Sequence, residues 1–330
     1  MHFHSQSSNR MNRSSFGRSG GLVMGIGCLL FAASLWAAGC SDDPKTSGGS
    51  GGSTSSSTSS SSSGTGGNGT GGAGGTMQAE CNPAPMTSNP APTMLESVSA
   101  TVLDINGNAL PNILVQACGL DQCFNGETNA TGAATVVVNK DIKKPAFKYG
   151  GLSQDGSITG KFATLLSAGK NDLGNIVTLQ LPAMGSALLP GKSAISGGVT
   201  LSLAPGAGIS HDSIVYDSED LQAFRAEQVP MGQEPAGLDP ALKLELLFAV
   251  SPIDSFFCPP AQITVDNSLN WAANTAVEFY VLGLSVGEEF APYGEWSKVS
   301  EGAVSADGMT ISTAAEGGLP VLSAFGIRVK

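Results

Sequence analysis

From about residue 95 onward, apolar and polar positions alternate in short runs. Val98, Ala100 and Val102 fall on one face of such a run and Ser97, Ser99 and Thr101 on the other. That is the period of two expected of a half-buried strand. Asp104-Ile105-Asn106-Gly107-Asn108 supplies turn chemistry, and Ile113, Val115 and Ala117 then alternate again, which predicts a hairpin-like return. Pro111 is expected to open that returning strand, where a missing N–H does least harm. Asn129-Ala130-Thr131-Gly132 predicts a second turn ahead of the β-branched run 135–138. Later, Val199, Leu201 and Leu203 alternate, Pro205-Gly206-Ala207 turns the chain, and 242–250 reads as a longer apolar strand. Val304, Thr310 and Ile311 flank Asp307-Gly308, the strongest local hairpin signal in the chain. One segment departs from the pattern. Leu221 and Phe224 lie three apart behind Asp217 and Ser218, so 217–227 predicts a short capped helix. Short strands at this spacing indicate an all-β fold of two β-sandwich domains, 95–182 and 196–330.

The N-terminal pattern is different in kind. Residues 21–38 are apolar, Arg10, Arg13 and Arg18 precede them, and no acidic residue occurs before Asp42. Basic, then apolar, then small residues are the order of a secretory signal. The run is about long enough to cross a bilayer, so a retained membrane helix is one alternative and a soluble secreted product another. The triplet Ala38-Gly39-Cys40, followed abruptly by Ser41-Asp42-Asp43, decides between them. It resembles the lipobox of bacterial lipoproteins, an aliphatic residue, two small ones and an invariant Cys, with Ala37 where Leu is usual and Leu35 two residues further upstream. The resemblance implies that residues 1–39 are a signal peptide, that cleavage falls before Cys40, and that Cys40 carries the acyl groups, palmitate among them. Ser41 stands where an inner-membrane retention signal would place Asp. The expected address is therefore the outer membrane of the cell envelope, periplasmic or surface-exposed.

Residues 45–80 are almost entirely Ser, Gly and Thr. Such a composition cannot build a packed core, so the segment 40–80 behaves as a lipidated flexible linker. Its 36 residues between Lys45 and Glu80 give a root-mean-square reach of roughly 30–36 Å.

Composition then narrows the partners. All 27 acidic residues follow Cys40, while three of the 16 lysines and arginines belong to the leader, so the mature chain carries 13 positive against 27 negative charges. A net charge of −14 without a Lys/Arg stripe excludes nucleic acid as a partner. About 250 residues follow the linker, enough for two domains of ordinary size.

Three short motifs fail on inspection. The segment beginning at Asp104 is not a calcium loop, because position six is Ala109 and position twelve is Val115. Gly185-Ser186-Ala187-Leu188-Leu189-Pro190-Gly191-Lys192-Ser193 is not a phosphate-binding loop. Five residues separate its glycines rather than four, and Pro190 removes a donor. It reads as the connection between domains. His211, the single histidine after the leader, precedes Asp212 in a turn-like stretch without a Gly-x-Ser-x-Gly elbow. It reads as an exposed loop residue. Glu288-Glu289 reads as a solvated strand edge, since adjacent strand residues point to opposite faces. Trp271, Trp296, Tyr280 and Tyr293 offer a stacking surface for sugars or peptides, but with aromatics at 6% most are needed for packing. No catalytic residue, metal ligand or cofactor follows from these patterns.

Two resemblances bear on the domains. Val102-Leu103-Asp104, Gly107, Leu110-Pro111-Asn112, Val115, Thr128-Asn129 and Gly132 resemble the carboxypeptidase regulatory-like domain, with Asn112 and Asn129 replacing its usual Gly and Asp. The likeness spans roughly 96–181 and implies a prealbumin-like Greek-key sandwich with a structural or binding role. Pro252, Phe257 and Pro260, ahead of alternating Ala261, Ile263 and Val265, are similar to ZU5-type β domains, with Asp254 where that motif has Gly. Some relatives cleave themselves at His-Phe-Ser, a tripeptide this chain does not contain after the leader.

Cys81, Cys118, Cys123 and Cys258 remain once the leader and Cys40 are set aside. An exported protein meets an oxidising compartment, so an even number favours disulfides. Three pairings are possible. Cys118 and Cys123, five apart, suit a turn-closing bridge, which leaves Cys81 to pair with Cys258. The expectation is a tethered, non-catalytic envelope lipoprotein serving structure, adhesion or ligand binding, anchored in the membrane by its lipid and meeting envelope protein or extracellular polysaccharide. The alternatives are a polysaccharide-binding accessory module, which an exposed aromatic row would favour, and a secreted hydrolase, which two carboxylates converging in a cleft would favour.

Overall fold

The computed structural model describes residues 88–153 and 156–330. The signal peptide, Cys40, the linker and Cys81 lie outside the described residues. The described chain is all-β, built of strands with a single 3-10 turn at Pro240–Leu242.

The first sandwich faces a three-stranded sheet with a four-stranded one. β1 (Pro92–Leu103) lies between β4 (Ala133–Lys143), antiparallel, and β7 (Gly169–Val177), parallel. Its Val98, Ala100 and Val102 are buried while Ser97, Ser99 and Thr101 are not, as the alternation requires. The facing sheet runs β3 (Cys123–Glu127), β2 (Leu114–Cys118), β5 (Ala146–Tyr149), β6 (Phe162–Leu165).

β1 and β2 therefore do not form the hairpin that their alternation predicts. Asp104 Oδ1 accepts from the N–H groups of Asn106 and Asn108, each at 2.8 Å, and closes a local turn. Beyond its pairing with Val177 of β7, Leu103 makes one isolated bridge, to Ala109, and the chain then crosses to the other sheet. Thr128 pins the crossover: its hydroxyl donates to the Leu110 carbonyl (2.6 Å) and accepts from the Ile113 N–H (2.9 Å). Pro111 sits in this connection rather than opening the strand, which begins at Leu114.

The second β body is a single curled sheet. In chain order its strands are β8 (Ser193–Ser196), β9 (Val199–Ser202), β10 (Gly208–Ser210), β11 (Arg225–Gln228), β12 (Leu246–Ser251), β13 (Ser255–Asp266), β14 (Ala276–Leu282), β15 (Trp296–Val304), β16 (Thr310–Thr313), β17 (Leu319–Leu322) and β18 (Phe325–Val329). They pair in the order β11-β12-β18-β14-β15-β16-β13-β9-β8, with β10 and β17 also on β13. The two ends of that path meet where the Ala226 N–H donates to Ser196 Oγ at 3.0 Å. The curl encloses an apolar core including Leu201, Ile263, Phe279 and Ile311, with Phe248 and Phe325 stacked at 4.8 Å between ring centres. Asp307-Gly308 turns β15 into β16 with Val304 opposite Ile311, as predicted.

The capped helix expected over 217–227 is absent. Ser218 closes one turn, accepting from the Gln222 N–H at 3.0 Å. Phe224 then exchanges backbone hydrogen bonds with Ser186 (2.8 and 2.9 Å), and Arg225 starts β11 on β12. A segment this short gains little as an isolated helix, whereas from Phe224 onward its backbone pairs with Ser186 and β12 at the sheet's end. The apolar run 242–250 is likewise shortened. Asp239 caps the 3-10 turn through the Ala241 N–H (2.9 Å), Lys243 takes a left-handed conformation, and the strand begins only at Leu246.

Candidate functional site

The two β bodies share an apolar seam. Leu247 and Ala249 of β12, with Leu282 and Ile253, pack in one cluster with Val115, Phe147, Tyr149 and Phe162 of the first sandwich. Gly160 marks one close approach: a Cβ built there would lie 2.6 Å from the Cβ of Ala249, so no larger residue fits without a shift.

Strand alternation puts charge beside this seam. Phe147 and Tyr149 are fully buried in the first sandwich, and Lys148 between them points to the opposite face of β5. Its ammonium donates to the Leu284 carbonyl at 3.0 Å and sits 4.8 Å from the centre of the Tyr293 ring. Burial pushes the Lys148 pKa down to about 8, Lys161 adds to the effect, and Asp254 opposes it.

Next to Lys148 a cleft of about 150 Å3 opens between the bodies. Gln116 and Lys161 line it from the first sandwich, Asp212, Tyr216 and Asp254 from the second. Lys161 is held below the ordinary lysine range by burial, against the pull of Asp254 and Asp212. Asp254 is pushed up by burial; Lys148 and Lys161 counter this, and Glu289 and Asp212 reinforce it. Among the described residues neither the Lys161 ammonium nor the Asp254 carboxylate has a hydrogen-bond or ion-pair partner. Two partly desolvated groups of opposite charge thus line one cleft without closing on each other.

The backbone helps to place them. Asp254 stands at φ 55°, in the left-handed region that Asp tolerates better than most side chains, and its N–H donates to the Leu322 carbonyl at 2.8 Å. Tyr216, whose hydroxyl accepts from the Ile253 N–H at 3.0 Å, has its pKa raised by burial to about 12.

His211 is not the exposed loop residue that its sequence context suggests. It is half-buried, its pKa is lowered by burial, and its Nδ1 lies 2.8 Å from Ser255 Oγ. Ser255 is 0% exposed and its hydroxyl donates to the Pro252 carbonyl at 3.0 Å. With that proton engaged, Nδ1–H is the donor to Ser255 Oγ. The arrangement anchors a loop and does not present a nucleophile to solvent.

Glu288-Glu289 also differs from expectation. Both lie in a loop, and Glu288 is buried, holding Lys144 at 2.9 Å. Tyr280 and Tyr293 are buried, while Trp271 and Trp296 are half-buried against the two apolar clusters. Among the described residues no group of three His, Cys, Asp or Glu side chains is placed to hold a metal ion, and no helix is long and apolar enough to cross a membrane.

Cys118 and Cys123 face each other across β2 and β3 and are joined by a disulfide. Cys258 on β13 is also disulfide-bonded; the pairing expected for it, with Cys81, lies outside the described residues. Closing the short Cys118–Cys123 loop stabilises by ~2 kcal/mol in the chain-entropy model. The double variant Cys118→Ser/Cys123→Ser is therefore expected to lower the free energy of unfolding by that amount, read from the midpoint and slope of one denaturant titration.

The chain matches no protein-family model and no curated protein.

Proposed function

We propose that this chain is a membrane-anchored, non-catalytic lipoprotein of the outer membrane whose joined β bodies bind a ligand, with structural and adhesive roles as variants of the same theme. Anchoring rests on the Ala38-Gly39-Cys40 triplet and on the Ser/Gly tether behind it. One observation supports binding over a purely structural role. The seam cleft brings the half-buried Lys161 and Asp254 to one cavity and, among the described residues, gives their charged ends no hydrogen-bond or ion-pair partner. Partly desolvated and unpaired, such groups cost stability, a cost that a bound ligand offsets.

An aromatic sugar-stacking platform has less support, because the four candidate Trp and Tyr side chains are committed to packing. A hydrolase is the second reading, favoured by Asp212 and Asp254 lining the same cleft. Paired carboxylates in unlike environments divide into acid and base. Against it, Lys148 and Lys161 favour the charged form of Asp254 and partly counter the upward shift from burial that an acid role needs. Turnover of an ester or glycoside panel that is lost in Asp212→Asn would favour the hydrolase.

The anchor is tested by detergent phase partitioning. Wild-type protein is expected in the detergent phase and Cys40→Ser in the aqueous phase; equal partitioning of the two overturns the lipoprotein reading.

A further inference from the structure

We infer that the seam cleft is a binding site for a small zwitterion carrying one carboxylate and one ammonium group, the chemistry of a free amino acid. The inference deepens the ligand-binding reading and rests on it. Among the described residues, Lys148 and Lys161 from the first sandwich face Asp212 and Asp254 from the second here, with Glu289 also acting on Asp254. Lys148 is engaged by the Leu284 carbonyl and the Tyr293 ring, and Asp212 accepts from the Ile214 N–H at 3.0 Å. Among the described residues, Lys161 and Asp254 are left without hydrogen-bond or ion-pair partners, one on each wall.

This mixture of both signs of charge discriminates among ligands. A simple anion satisfies Lys161 but meets Asp254 and Asp212, and a simple cation meets both lysines. A neutral polyol would face two charges with dipoles alone. A molecule bearing both charges places its carboxylate at Lys161 and its ammonium at Asp254, and each contact becomes a charge-assisted hydrogen bond. Gln116, whose amide nitrogen already donates to Asn125 Oδ1 at 2.9 Å, adds an amide oxygen acceptor on the cleft wall. The cleft volume of about 150 Å3 has room for one small molecule.

Calorimetric titration of the full-length chain in detergent tests the site. Glycine, β-alanine and γ-aminobutyrate present the same two charges at increasing separation; acetate and methylammonium each present one. At least one zwitterion is expected to bind saturably at one site per chain, and each half-ligand at least about tenfold more weakly. Lys161→Met and Asp254→Asn, which roughly conserve volume, are each expected to weaken the zwitterion by about tenfold or more, as one charge-assisted contact is lost. Lys161→Arg keeps the charge and is expected to retain binding even where Lys161→Met does not fold. No saturable binding of any of the three zwitterions overturns the inference, as does acetate or methylammonium binding as tightly as they do, or binding that survives both substitutions. A pull-down of envelope components that is identical for wild type and Lys161→Met would place ligand binding elsewhere on the surface. The broader reading would then stand and this site would fall.

Discussion

Arg225→Met is expected to be among the most destabilising single substitutions in the chain, lowering stability by about 3–5 kcal/mol. Arg225 begins β11 and is only 1% exposed, the largest fully buried side chain described. Its guanidinium is spent on backbone carbonyls: Nε donates to Pro182 (3.1 Å), Nη1 to Asp220 (2.7 Å) and Ala223 (3.0 Å), and Nη2 to Ala183 (3.2 Å). The further contact to Asp220 Oδ1 at 2.9 Å adds little, since that carboxylate is 75% exposed and screened by solvent. The carbonyls carry the effect. Those of Pro182 and Ala183 belong to the connection between the β bodies, and methionine would leave them without a donor. For a folded region of this size the loss corresponds to a melting temperature lower by roughly 6–20 °C. Arg225→Lys is expected to recover less than half of it, because one ammonium cannot reproduce the planar fork. Limited proteolysis should open the connection near 183–190 in the Met variant before either β body is cut. A melting temperature within about 2 °C of wild type, which corresponds to under ~1 kcal/mol, would refute this account.

Nothing local in the sequence announces that role. Residues 217–227 carry a helical spacing, and what makes Arg225 a strand residue is pairing with β12 some twenty positions later. The strands that sequence does reveal are those whose code is short-range. In β1, the alternation of Val98, Ala100 and Val102 with polar residues needs only a solvent face and a core face. Asp307-Gly308 and the pair Cys118 and Cys123 carry their geometry within a few residues. The seam cleft is the opposite case. Lys148 and Lys161 come from one body, Asp212 and Asp254 from the other, and only the docking of Leu247 and Ala249 on the first sandwich brings them together. A single signal existed: Asp254 stands where a resembling motif has glycine, and the structure places it at φ 55°. The β1–β2 crossover was illegible for a related reason. Turn chemistry at Asp104 specifies that the chain reverses, not which sheet receives it.

Glu288 offers the sharpest pH-dependent result. It is 2% exposed, in the loop between β14 and β15. Its Oε1 accepts from the Tyr293 N–H at 2.7 Å and from the Lys144 ammonium at 2.9 Å, and its Oε2 accepts from the Ser88 hydroxyl. Burial alone raises its pKa, but Ser88, the Tyr293 N–H and Lys144 together hold it below the ordinary value of 4.5. Lys144 answers in the other direction: burial lowers its pKa, yet Glu288 and Glu295 bring the net above 10.5. A carboxylate depressed by folding contributes stability that is complete above its unfolded pKa and is lost as pH falls through the folded value. An ammonium raised by folding contributes stability below its unfolded pKa and loses it as pH rises through the folded one. The pair should therefore stabilise the fold evenly from about pH 5 to about pH 10 and fade outside that window. Glu288→Gln removes the charge and leaves Lys144 with the half-exposed Glu295 alone. Breaking a buried pair in this way is expected to cost about 3–5 kcal/mol at pH 7. The difference in urea midpoint between wild type and Glu288→Gln should be full at pH 7 and pH 5 and shrink steadily between pH 4 and pH 2, as protonation turns the native side chain into a neutral acid. Midpoints that stay equally far apart at every pH would show that the substitution acts through packing rather than through this charge.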